Sequence, residues 1–196
     1  QVASELFKTV RKGKARVVDL CCGVGTSTRA LSEAFPEAEI VVGVDTSVQM
    51  VAMARFLTNH LKFFKPVVAN LDAAVSTGCT VSKGKGTTIN KAARNAVEYA
   101  RVNAEDTKLP GKSFDLVTIM YALHEVPMQG REKILSESRR LLNAGGTLAV
   151  IDISTDYEPP YSMLLGEPYV LEYQSNIHRQ LAGLKGFFRP EYKVLV

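Results

Sequence analysis

The sequence predicts an α/β fold in which a doubly wound, mostly parallel sheet carries helices on both faces. Three observations support that expectation. Short apolar runs of strand length alternate with longer segments of helical character along most of the chain. Two of those runs, Val17-Val18-Asp19-Leu20 and Ile40-Val41-Val42-Gly43-Val44-Asp45, are almost continuously apolar and carry a carboxylate near their carboxyl ends. The first is followed by Cys21-Cys22-Gly23-Val24-Gly25, a tight turn into a helix start at Thr26.

Taken in order, residues 2–11 read as a short amphipathic helix and 16–20 as the first strand. A helix from Thr26 to Phe35 stops at Pro36, which cannot continue it. The run Ile40–Val44 is the second strand. Ser47 is placed to cap a long helix whose apolar positions are Val48, Met50, Val51, Met53, Phe56, Leu57 and Leu61. Residues 66–97 lack periodicity and carry Lys83, Lys85, Lys91 and Arg94 against one acid, Asp72, so they read as an insertion. Regularity returns with strands at Glu98–Val102 and Phe114–Met120, a helix over Pro127–Asn143 and a fifth strand over Gly146–Ile153. Residues 155–185 gather Tyr157, Tyr161, Tyr169 and Tyr173 around three prolines, either as packing residues or as an aromatic wall. The chain closes on Tyr192–Val196, a strand start.

Length and composition bound the function. A chain of 196 residues, 46% apolar and 22% charged, reads as one domain with a sizeable core. A net charge of +4 permits an anionic partner without demanding one. No apolar run reaches the roughly 20 residues that cross a bilayer, so no membrane span is expected. Three cysteines, two of them adjacent, do not form a disulfide framework, and a reducing compartment follows, cytoplasm or organellar stroma. Gln1 stands where a natural start would have Met, so targeting is unreadable. No histidine or cysteine cluster has zinc spacing, and no metal is expected.

In such sheets ligands bind where the strands end, near the point at which strand order reverses. Asp19, Asp45, Asn103 and the residues after Ile119 all fall at strand ends. Glycines there admit a ligand to the main chain, and the free N–H groups of the Thr26 helix point into the same crevice.

The ordered set Asp19…Gly23-x-Gly25, Gly43-Val44-Asp45, Asn103-Ala104-Glu105, Phe114-Asp115-Leu116-Val117 and Leu141-Leu142-Asn143-Ala144-Gly145-Gly146 resembles the class I S-adenosylmethionine-dependent methyltransferases. The fold so implied is Rossmann-like. Within that class the chain is most similar to the small-molecule, methyltransferase type 11-like branch that includes quinone and sterol enzymes. Tyr121–Pro127 also resembles plant and algal members. The resemblance covers residues 15–153 with 66–97 inserted, and it implies one methyltransferase domain over 1–196 with an acceptor lid at about 155–185.

What the resemblance implies falls on particular residues. Asp19 would hold the amino end of S-adenosylmethionine, with the Gly23–Gly25 backbone beneath it. Asp45 would accept both ribose hydroxyls. Thr46 and Met50 would flank the adenine. Asn103 and the Ala104 backbone would meet its edge, with Glu105 beside them. Met120 and Tyr121 would lie by the sulfonium. Cys21 replaces the first glycine of the usual loop, which is tolerable if its backbone is ordinary strand. Ala144 replaces a proline. The family's sheet ends in an antiparallel hairpin of which this chain supplies only the beginning, so a C-terminus cut short is expected.

His124, just after the fourth strand, is the candidate base, with Glu125 beside it as a possible orienting group. The alternative is a structural histidine that caps the helix near Pro127 or bonds a backbone carbonyl. His60 and His178 fall at no strand end. The expected partner is a small, partly aromatic or apolar acceptor, not nucleic acid. Glu158-Pro159-Pro160-Tyr161 is like the motif of amino-methylating nucleic-acid enzymes but follows the wrong strand, although a methyltransferase acting on RNA stays open. A nicotinamide-dependent oxidoreductase is the other alternative. Against it, the third glycine of G-x-G-x-x-G is missing and Asp19 would repel a pyrophosphate. A cofactor-binding protein without catalysis also stays open.

Overall fold

A computed structural model describes residues 10, 14–60 and 96–183. Apart from Val10, Ala96 and Val97, the expected helix 2–11, the insertion 66–97 and the terminal run 192–196 lie outside the described residues. Strands β1 (Arg16–Leu20), β2 (Ile40–Asp45), β3 (Ala96–Arg101), β4 (Phe114–Met120) and β5 (Leu142–Ile151) pair in parallel in the order β3-β2-β1-β4-β5. The order reverses between β1 and β4, which places the crevice at their carboxyl ends. Helices α1 (Thr26–Ala34), α2 (Val48–His60), α3 (Met128–Leu141), α4 (Tyr161–Gly166) and α5 (Val170–Gly183) complete the described fold.

Alternation along the strands splits the core in two. Val18, Val42 and Val117 face Ile134, Leu135, Tyr173 and Ile177, so α3 and α5 cover that side. Val17, Val41 and Leu116 face Leu31 and Phe35 of the α1 side. Near the β3 edge, α2 adds Val51 and Ala54 against Val97 and Tyr99.

Several expected boundaries move. β3 begins at Ala96, because Ala96 and Val97 pair with Ile40 and Val41 and Val97 is buried; the insertion ends before them. α3 begins at Met128, with Pro127 as its N-cap residue, and ends at Leu141, not Asn143. Its last carbonyls are taken by the loop before β4: Lys112 donates to Arg140 O at 2.8 Å and Ser113 to Leu141 O at 2.9 Å. β5 therefore starts at Leu142, and a register shift lets Phe114 face Leu142 while Leu116 faces Thr147. It ends at Ile151, before the expected Ile153.

The apolar positions of α2 do not form a single buried stripe. Val51, Ala54 and Thr58 are buried, whereas Val48, Met50, Met53 and Phe56 are exposed. The tyrosines divide likewise: Tyr173 is core, and Tyr157, Tyr161 and Tyr169 are exposed.

Candidate active site

The loop after β1 is held by three residues in the left-handed region, Cys21 (φ 58°), Gly23 (φ 53°) and Gly25 (φ 74°). The expectation that Cys21 has ordinary strand backbone is thus corrected. Its side chain packs on the core and the strain is retained. The two glycines serve different purposes. A Cβ on Gly23 would meet nothing within 4 Å, so that side of the loop is open to a ligand. A Cβ on Gly25 would lie 2.5 Å from the Tyr99 hydroxyl, and one on Gly43 2.8 Å from the Tyr99 ring. Those glycines make room for a buried tyrosine of β3.

Asp45, at the end of β2, ties the loop down. Its Oδ2 accepts the Gly23 N–H at 2.9 Å and its Oδ1 the Ser47 N–H at 2.8 Å. The Cys22 N–H adds a bond to Val44 O at 2.9 Å. Ser47 also caps α2 as expected, accepting the Met50 N–H at 3.2 Å. Thr46 and Met50 are exposed beside it, free to flank a planar ring.

Asp19 is fully buried. Its carboxylate accepts hydroxyls from Ser27 at 2.6 Å, Thr28 at 2.7 Å and Thr118 at 2.7 Å. Burial pushes the carboxyl above its usual range and these hydroxyls pull it back. Ser27 itself is half-exposed. Arg29, which sequence reading passed over, lies under the same loop and donates to Val24 O at 2.8 Å. The N-terminus of α1 has no side-chain cap.

At the end of β3, exposed Asn103 accepts the Glu105 N–H on its Oδ1 at 2.9 Å, and Ala104 is buried. Glu105 turns its carboxylate to Lys133 of α3, 3.0 Å away, so its side chain belongs to an ion pair. Half-buried Met120 is followed by Tyr121, which has φ 53°, donates its N–H to Ile151 O at 2.7 Å and leaves its ring 65% exposed. Burial, then Asp45, Asp19 and Glu125, push the Cys21 thiol up to about 12. Carboxylates of β1, of β2 and of the turn after β4 therefore all act on this one thiol.

His124 lies in a 3₁₀ turn, Leu123–Glu125, and is buried. It does not cap α3, whose N-terminus has no side-chain cap. Its Nδ1 bonds Asp152, directly after β5, and not Glu125. Asp152 Oδ2 also accepts the Leu123 N–H at 2.8 Å, and Oδ1 the Ile153 N–H at 2.8 Å. The imidazole is thus fixed by a residue 28 positions away. Nε2 faces Glu167 Oε2 at 3.3 Å and Glu125 Oε1 at 3.8 Å. The segment after β5 folds back over this cluster: Tyr173 OH donates to Ile153 O at 3.3 Å, and Gln174 Nε2 to Ser154 O at 3.1 Å.

The chain matches the ubiE/COQ5 methyltransferase family over residues 4–174. It is 28% identical to the ubiquinone/menaquinone biosynthesis C-methyltransferase UbiE of Hydrogenovibrio crunogenus over 95% of this chain and 58% of that protein. Its structure resembles that of an S-adenosylmethionine-dependent methyltransferase from Mesorhizobium loti, at 26% identity and TM-score 0.50 over 80% of this chain and 55% of the other. It also shares a fold, at 20% identity and TM-score 0.59, with a Haemonchus contortus phosphoethanolamine N-methyltransferase, over 93% of this chain and 36% of the other. The chain spans about half the length of the curated relatives it matches. The fold is that of the class I S-adenosylmethionine-dependent methyltransferases, and the chain belongs to the ubiE/COQ5 methyltransferase family.

Proposed function

We propose that this chain binds S-adenosylmethionine at the glycine loop and methylates a small hydroxylated ring acceptor of the quinone-precursor kind. One observation carries the cofactor reading. The loop's Gly23 N–H, which a pyrophosphate would need, is given to Asp45. That favours a ligand with a ribose diol and a cationic end over a dinucleotide.

The bound cofactor supplies a methyl group on a positively charged sulfur, transferred by in-line displacement. The protein's part is placement. Asp45 has lone pairs left for two ribose hydroxyls; Thr46 and Met50 flank the adenine; Asn103 and the Ala104 backbone meet its edge. Gly23 and Gly25 carry the chain beneath the methionine part, whose ammonium group meets Asp19 through Ser27. Cys21, Met120 and Tyr121 line the sulfonium end, where the surrounding carboxylates favour positive charge. Glu105 supports this corner through Lys133.

The Hydrogenovibrio relative, a ubiquinone/menaquinone biosynthesis C-methyltransferase, supports a quinone-type acceptor and a carbon target. In such a transfer the cofactor, when bound, would supply the methyl group and keep the electrons of its sulfur–methyl bond on sulfur. A ring carbon forms the new bond and the ring loses a proton. His124 is the group assigned to the reacting edge of the acceptor, with Asp152 deciding which nitrogen faces it. Residues 155–183 cover that edge as the acceptor lid, with Tyr157, Tyr161 and Tyr169 on its surface.

The test is calorimetric titration with S-adenosylmethionine, its demethylated product and NAD, followed by labelled methyl transfer to a panel of hydroquinones, sterols, RNA and protein. Binding of the first two ligands and labelling of a hydroquinone are expected. Tight NAD binding, or label found only in RNA or protein, overturns the reading.

A further inference from the structure

The cluster at His124 contains more than a base requires. Its imidazole side chain is only 7% exposed, and its Nδ1 is engaged by Asp152, itself tied to backbone N–H groups on both oxygens. With the Nδ1 proton donated to that carboxylate, Nε2 presents a lone pair. Opposite it stands Glu167 Oε2, a buried oxygen with no hydrogen-bond partner. The two atoms are 3.3 Å apart and meet no hydrogen-bond geometry. Two electron-pair donors facing each other at that distance need either a shared proton or a cation between them.

Glu125 Oε1 completes the set. His124, Glu125 and Glu167 each offer a ligand atom, and all three atoms lie within 4.8 Å of one another. Bonds of about 2.1 Å to two atoms 3.3 Å apart subtend roughly 105°. The 3.8 Å pair subtends roughly 130° with the same bond length. The first angle is near tetrahedral and the second is wide, and the Glu125 and Glu167 carboxylates, within 4.8 Å of one another, turn inward to close a four-coordinate shell with one open position. Among the described residues, Glu125 and Glu167 form ion pairs with His124 alone. Asp152 stands behind the imidazole as the carboxylate that orients a metal-bound histidine does. We infer that His124 Nε2, Glu125 and Glu167 hold one divalent cation of the zinc class, oriented through Asp152. With Nε2 engaged, the ion and not a free imidazole nitrogen would meet the acceptor. It would bind an acceptor oxygen and lower its pKa, a consequence that rests on the proposed methylation and takes the place of the imidazole's own contact.

Zinc ion alone is the probe, titrated calorimetrically into the full chain after chelator treatment. One equivalent per chain is expected, with affinity falling about 10–100-fold in Glu167→Gln and in Asp152→Asn. Glu167 is half-buried in the turn between α4 and α5, so its variant is the one expected to fold normally, as a circular-dichroism melt checks. Glu125→Gln, at an exposed position, should weaken the ion less. No saturable binding, or binding unchanged in Glu167→Gln, overturns the inference, since the ion is then absent or sits elsewhere, as on the paired cysteines. S-adenosylmethionine binding is measured alongside: its survival without zinc binding refutes the metal site and leaves the proposed function standing.

Discussion

Asp45 Oδ2 accepts the Gly23 N–H at 2.9 Å, which joins the end of β2 to the open side of the glycine loop. One carboxylate thus shapes the loop beside its open side. Asp45→Ala should weaken S-adenosylmethionine binding by about 2–4 kcal/mol, since two charge-assisted bonds are lost. Asp45→Asn, which keeps one acceptor, should cost less. Calorimetry gives both values, and unchanged affinity in the alanine variant would remove Asp45 from the site.

Cys21 tests the strain at the crevice. Its φ of 58° is costly for any side chain, and most of all for a β-branched one. Cys21→Gly trades relief of about 1 kcal/mol against lost packing, so its stability should stay within about 1 kcal/mol of the parent. Cys21→Val should cost about 2 kcal/mol or more. Urea denaturation decides the order, and the reverse order would mean that packing, not backbone, governs this position.

The glycines differ in a way that substitution will expose. Gly43→Ala and Gly25→Ala drive a Cβ into the Tyr99 ring and should destabilise by about 2–4 kcal/mol. Gly23→Ala carries backbone strain alone, about 1 kcal/mol. Tyr99→Ala in the Gly43→Ala background should recover part of the loss, and thermal melts of the double-mutant cycle would show additive losses if the two sites are uncoupled.

Glu98 on β3 gives a pH signature. Burial pushes its carboxyl up to about 6, against a smaller pull from Arg16. A raised carboxyl pKa means that the folded state binds the proton more tightly than the unfolded chain. The stabilisation is therefore complete below about 4.5 and lost as pH rises through about 6. Glu98→Gln should flatten that slope and be about 1 kcal/mol more stable near pH 7, after allowance for solvent screening. Parallel melts of parent and variant from pH 4 to 7 that keep the same slope would refute it.

For His124→Gln, turnover on the acceptor should fall about a hundredfold while S-adenosylmethionine affinity holds. Equal loss of both would mark a structural residue. Near-parental turnover across pH would remove His124 from the chemistry.

Much of this arrangement was legible before any coordinates. The runs ending at Asp19 and Asp45 named two strands and the crevice, because a buried parallel strand reads as a continuous apolar run. Asp19's burial was not legible, since it depends on Thr118 of a neighbouring strand. Asp152 was missed as the partner of His124 because only strand order brings their strand ends together, while Glu125 was merely adjacent in sequence. The left-handed backbone of Cys21 leaves no mark in a residue type chosen for other reasons. The apolar residues of α2 misled for a plain cause: helical spacing says which residues share a face, not whether anything covers it.

The seat of Tyr99 between Gly25 and Gly43 bears on the order of assembly. β1, the glycine loop and β2 occupy the first 45 residues, yet the ring that fills the gap between them arrives from β3, beyond a long stretch of chain. Until that stretch closes, the loop has no template against which to set, and closure costs entropy that grows only slowly with length. During synthesis the nascent segment ahead of β3 should therefore be unable to recognise S-adenosylmethionine. Competence should switch on when residue 99 clears the ribosome and pairs, so that the ligand reports on the arrival of a distant strand.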